Sequence, residues 1–97
     1  MAAALFQTRQ HFYIVGIGLV LTGEVLQGVV DYDMHIHMRV NGNIIIYTIT
    51  DVQTIEYMTA GTSETALILE LLQGDPEVNY LEHIAGQIIE ITDISRM

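Results

Sequence analysis

Along most of this chain, apolar and polar residues trade places in a two-residue rhythm rather than a helical one. Residues 10–15 set Phe12 and Ile14 on one side and His11, Tyr13 and Val15 on the other, the alternation of an extended segment. Residues 16–28, GIGLVLTGEVLQG, then spread Gly16, Gly18, Gly23 and Gly28 among Leu19, Val20, Leu21, Val25 and Leu26. In a helix each glycine would cost up to about 1 kcal/mol relative to alanine, whereas inside a strand it marks a bulge, a tight bend or the close approach of another backbone. The stretch therefore predicts a strongly coiled strand of a small closed or nearly closed sheet. In VVDYDMHIHMRV, Tyr32, Met34, Ile36, Met38 and Val40 alternate with Asp31, Asp33, His35, His37 and Arg39, which predicts a half-buried strand with the apolar set inward. Asn41-Gly42 supplies the two positive-φ positions of a type I′ hairpin turn.

The next segment, NIIIYTITDVQTIEY, is β-branched nearly throughout and too long for one straight strand, so a bend or bulge is predicted near Thr50 and Asp51. Ile44, Ile45 and Ile46 in succession imply that both faces are covered there. A polar loop, TAGTSE, leads to ALILELL, a further run without alternation. After it Asp75 can cap, Pro76 can open, and Val78, Leu81 and Glu82 can fill a short helical turn that Gly86 ends; QIIEI is the last strand. Residues 1–9 are expected to be loosely held. The elements add up to one all-β domain, a closed or nearly closed six-stranded antiparallel barrel with one short helical turn before its last strand.

Composition narrows the function. Three basic against twelve acidic residues give a net charge of −9, with no lysine and no cysteine. A chain so poor in cations has little with which to neutralise phosphates, which argues against nucleic acid and anionic membranes as partners. The absence of cysteine removes disulfides, thiolate metal sites and cysteine nucleophiles. The first residues lack the basic region of a leader and no run reaches about 18 apolar residues, so the reading is a soluble, cytoplasmic protein. Hydrophobic residues make up 51% and charged ones 15%, more apolar surface than one small core hides. Self-association, most simply as a dimer, is the expected outlet, through Ile44, Ile45, Ile46, Leu67, Leu69, Leu71, Ile89 and Ile91.

The order of these pieces resembles the second domain of translational GTPases of the elongation factor Tu type, a small β-barrel. Gly18, Val20, Thr22, Gly23, Val25 and Gly28 match the first part of that pattern, Ile55 and Glu56 the end of the long strand, Leu67 and Leu69 the next strand, and Gly86 the glycine before the final one. The resemblance covers residues 10–92 and implies the barrel and a role exercised by being bound to something. Two departures limit it. The family's Gly-Asp turn is replaced by Asp33-Met34, and no Gly-x-x-x-x-Gly-Lys-Ser/Thr occurs, which excludes GTP hydrolysis by these residues. The basic residues that surround the family's barrel are also missing, so its RNA contacts do not carry over.

Among groups that could do chemistry, Asp31, Asp33, His35 and His37 stand out. Alternate strand residues share a face about 6.6 to 6.8 Å apart, and His-x-His with carboxylates is a set that can hold zinc or another divalent ion. The same pattern is that of a solvent-facing strand, and at a dimer edge the histidines could set a pH-dependent interface. Glu82 and His83 read as a polar turn surface, and His11 as a residue at the barrel mouth. Thr62, Ser63 and Thr65 offer hydroxyls beside Glu64 without a nucleophile elbow. Glu24, Asp51, Glu56 and Glu70 fall on strands, where a cross-sheet pair could serve acid–base chemistry only beside a cleft. Met34, Met38 and Met58 read as flexible core filler. The function expected is a non-catalytic interaction module that self-associates, with divalent-metal or small-ligand binding through the Asp/His face as the alternative and an accessory role in translation, resting on the resemblance alone, as a third.

Overall fold

The computed structural model describes residues 3–57 and 61–93. Its strands are β1 (Ala4–Ile14), β2 (Gly18–Gly28), β3 (His35–Val40), β4 (Asn43–Tyr57), β5 (Thr62–Gln73) and β6 (Ile88–Thr92), with a 3₁₀ turn at Tyr80–His83. Neighbours pair antiparallel in the order β1-β2-β5-β4-β3-β6 and the ring closes from β6 back to β1, a closed barrel. Closure is uneven, since among the described residues β3 meets β6 through only His35↔Thr92 and Ile36↔Ile91.

The first strand corrects one expectation. Residues 4–9 are not loosely held but form the first half of β1, with Ala4, Phe6 and Thr8 buried. Ala4 to Gln7 pair with β6, and the Thr8 hydroxyl donates to the Ile84 and Gln87 carbonyls while accepting from the Gln87 amide. Sequence-distant partners hold this segment, and such partners leave no local signature.

At the β3–β4 hairpin Asn41 has φ 51° and Gly42 φ 83°, the geometry of the predicted I′ turn. In β2, Gly23 carries the close approach: a Cβ there would stand 1.9 Å from the Gln7 carbonyl oxygen. The 3₁₀ turn is capped by Asn79, whose side chain accepts from the Leu81 amide, rather than by Asp75. Asp75 instead accepts from the Glu77 amide in a preceding turn that holds Pro76. The predicted loop TAGTSE is shorter than expected, since Thr62, Ser63 and Glu64 already belong to β5; Met58, Thr59 and Ala60 lie outside the described residues.

The registers of β1 with β2 and of β4 with β5 each shift twice, at Leu5/Phe6 and Ile46/Tyr47 as well as at two bulges that reverse which side chains face in. One falls between Thr8 and Gln10 on β1, and another between Ile49 and Asp51 on β4, where Thr50 donates to the Ile68 carbonyl. Each inserts one residue, and one residue exchanges the two faces of a strand. Phe6 and Thr8 point into the barrel, but past Arg9 the even-numbered Phe12 and Ile14 point out. Ile45, Tyr47 and Ile49 point in, but past Thr50 the odd-numbered Asp51, Gln53 and Ile55 point out.

The core is built from Phe6, Leu21, Ile36, Ile45, Tyr47, Ile49, Leu67, Leu81 and Ile91, all with negligible exposure. It corrects the predicted interface. Ile45, Leu67, Leu69, Ile89 and Ile91 are core residues; Ile46 and Leu71 are half-buried, and only Ile44 is exposed. The runs that suggested a self-association face are largely consumed in filling the barrel.

Candidate functional site

The ends of β1, β2, β4 and β5 run on beyond the part of the barrel closed by β3 and β6, forming a four-stranded lobe. Antiparallel partners share a face, so the registers Phe12↔Val20, Val20↔Ile68 and Ile68↔Asp51 place one row across its outer side. Thr22↔Ala66 and Ala66↔Gln53 give the next row, and Glu64↔Ile55 the next. Val20, Thr22 and Ala66 face outward yet are only 2%, 2% and 3% exposed. The sheet is coiled strongly enough for larger neighbours to shelter them. The result is a channel of about 390 Å³ with Val20 and Ala66 as floor, Phe12, Ile14 and Ile17 as one wall, and Ile55 and Ile68 with Asp51 and Gln53 as the other.

Along the same outer face, beyond the Glu64↔Ile55 row, lies a separate polar hollow lined by Arg9, Gln10, Glu24, Tyr57, Thr62, Ser63 and Glu64. The guanidinium of Arg9, the bulged residue, lies 3.6 Å from Glu64, and the Tyr57 hydroxyl donates to the same carboxylate. That hydrogen bond to Glu64 raises the Tyr57 pKa above its ordinary value, so the phenol keeps its proton. Asp51 accepts from the Val52 amide and the Gln53 side chain. The carboxylates Glu24, Asp51, Glu64 and Glu70 share this outer face, and the hydroxyl residues Thr62 and Ser63 line its polar hollow.

The Asp/His set is not assembled. Asp31 and Asp33 lie in a turn before β3: Asp33 takes φ 67°, the Asp31 carboxylate accepts from the Tyr32 amide, and the Asp31 amide donates to the Met34 sulfur. Tyr32, expected inward, is 62% exposed because the alternation begins only at β3. His35 and His37 do sit on one face, but the His35 Nδ1 is buried and unpartnered while His37 is exposed. Among the described residues no group of three or more His, Asp or Glu side chains is placed to hold a metal. His83 lies near His37 and Arg39 along a shallow groove where β3 and β6 part.

Inside the barrel the Tyr47 hydroxyl is buried without a hydrogen-bond partner. Burial pushes its pKa above the usual 10.0, the Tyr80 main chain opposing. Tyr47→Phe removes an unsatisfied buried group at nearly unchanged volume, so the variant is expected to be more stable by about 1 kcal/mol in thermal or urea unfolding. The folded chain holds this phenol neutral while the unfolded chain ionises from pH 10.0 upward. Wild-type stability therefore falls as pH rises through the raised folded value, and the variant loses that part of the fall.

No family model, curated protein or solved structure matches this chain. Sequence reasoning identified Phe12 and Ile14 as sharing a face, and the bend at Thr50, but not the channel. Its floor residues come from two strands far apart in sequence, β2 and β5, and the Arg9 bulge leaves no sequence mark.

Proposed function

We propose that this chain is a non-catalytic assembly module that binds a second copy of itself through the lobe. The observation that carries the reading is a placement of charge. Residues 10–23 hold no Asp, Glu, Lys or Arg, the longest such stretch in a chain of net charge −9. They form the outer part of β1 and the lobe tip, where Tyr13, Val15 and Ile17 are exposed. Two copies that each carry −9 repel within the roughly 8 to 10 Å reach of electrostatics at physiological salt, and this is where they approach with the least acid between them.

Beyond Thr8, β1 pairs with β2 on one side and has no strand partner among the described residues on the other. Such an edge offers main-chain groups to another strand. The β4 edge past Ile49 likewise has no second strand partner among the described residues, but it carries Asp51 and Glu56, and like charges across a strand pair are unfavourable. Pairing of β1 with its symmetry copy fits these facts best.

Sedimentation equilibrium is expected to show a dimer. Tyr13→Asp with Val15→Asp should weaken it by roughly tenfold or more, because each change enters a two-fold interface twice, while the circular dichroism spectrum stays unchanged. A wild-type monomer at every concentration overturns the reading.

A further inference from the structure

We infer that the outer-face channel takes an extended segment of a different protein, one that alternates apolar with basic side chains. Val20 and Ala66 make a floor of small or sheltered side chains between the walls formed by Phe12, Ile14, Ile55 and Ile68. Apolar area of this kind gains from a cover, and the acids around it say which cover fits. Glu24, Asp51, Glu64 and Glu70 lie on this face against Arg9, which is already paired with Glu64. The excess of carboxylates sets the face apart from the uncharged β1 edge.

A second copy of the chain is the wrong occupant, because it would bring its own acidic rim against this one. A partner with lysine or arginine flanking its apolar residues meets carboxylates at the rim and oil at the floor. From Asp51 to Ile55 the channel follows β4 for about 13 Å at the usual rise per strand residue, room for a segment of about four extended residues. Edge pairing of β1 uses its main chain and leaves this face open, so this inference stands apart from the self-association proposed above.

Fluorescence anisotropy with three labelled synthetic peptides of about seven residues tests it: lysine alternating with valine, glutamate with valine, and lysine with serine. The lysine–valine peptide is expected to bind, with the other two at least about tenfold weaker. Ile68→Asn and Asp51→Asn should each weaken that binding by about fivefold or more. Ile44→Asn, on the outer side of the barrel away from the lobe, should leave it unchanged. The Tyr13→Asp, Val15→Asp variant should bind as the wild type does, so a failure of self-association does not decide this test. No binding of the lysine–valine peptide, equal binding of the lysine–serine or glutamate–valine peptide, or indifference to both channel substitutions in variants with wild-type dichroism overturns the inference.

Discussion

Gly23→Val is expected to abolish the cooperative fold. Even a bare Cβ at this position would lie 1.9 Å from the Gln7 carbonyl oxygen and 2.8 Å from Phe6 Cε2. The first contact is with backbone, so no rotamer change relieves it; β1 and β2 would have to separate where Thr8 pairs with Gly23. Overpacking in a core costs about 1 to 3 kcal/mol when side chains can shift. A clash that parts two main chains exceeds that range and consumes much of the about 5 to 15 kcal/mol by which a domain is stable. Far-ultraviolet circular dichroism and a thermal melt measure it, and a cooperative melt near the wild-type midpoint would contradict the geometry. Gly42→Ala is the contrast: nothing lies within 4 Å of its Cβ position, and only the positive φ of 83° resists the side chain. Its cost should stay near about 1 kcal/mol.

Phe6→Ala should destabilise by about 3 kcal/mol or more, lowering the melting midpoint by roughly 12 °C or more for a domain of this size. Phe6 is fully buried, pairs with Val25 on β2 and Ile89 on β6, and sits where β1 closes the ring. Its removal opens a cavity at the seam rather than at a free end. Leu5→Ala, which leaves the barrel's inner face unchanged, should cost far less. Were the two variants equally stable, the opening strand would be dispensable and the closed ring would not be the native state.

The same strand shows where local reading ran out. Phe12 and Ile14 facing one way and Tyr13 the other was legible, because alternation over a few residues is a local property. That Phe6 faces the core while Phe12 faces the channel was not, because the Arg9 bulge that exchanges the faces depends on Gly23 and Thr22 opposite. In β4 the corresponding bulge was legible, since a β-branched segment as long as Asn43–Tyr57 cannot stay straight around a small barrel. The histidines repeat the lesson. His35 and His37 alternate as a ligand pair would, yet Asp33 adopts a left-handed backbone, and the acids that would complete the set leave the strand.

The amino-acid order alone determined the all-β class, the coiled glycine-bearing strand, the Asn41-Gly42 turn and the bend at Thr50, because these follow from backbone conformations available to a few adjacent residues. Tertiary structure decided which apolar runs became core and which became surface. Ile45, Leu67 and Ile91 are spent inside the ring, while Phe12, Ile14 and Ile17 remain outside. That division depends on bulge parity and ring closure, which join residues as far apart as Thr8 and Gln87, and pairings at such distance are fixed by packing of the whole sheet rather than by any short stretch of it.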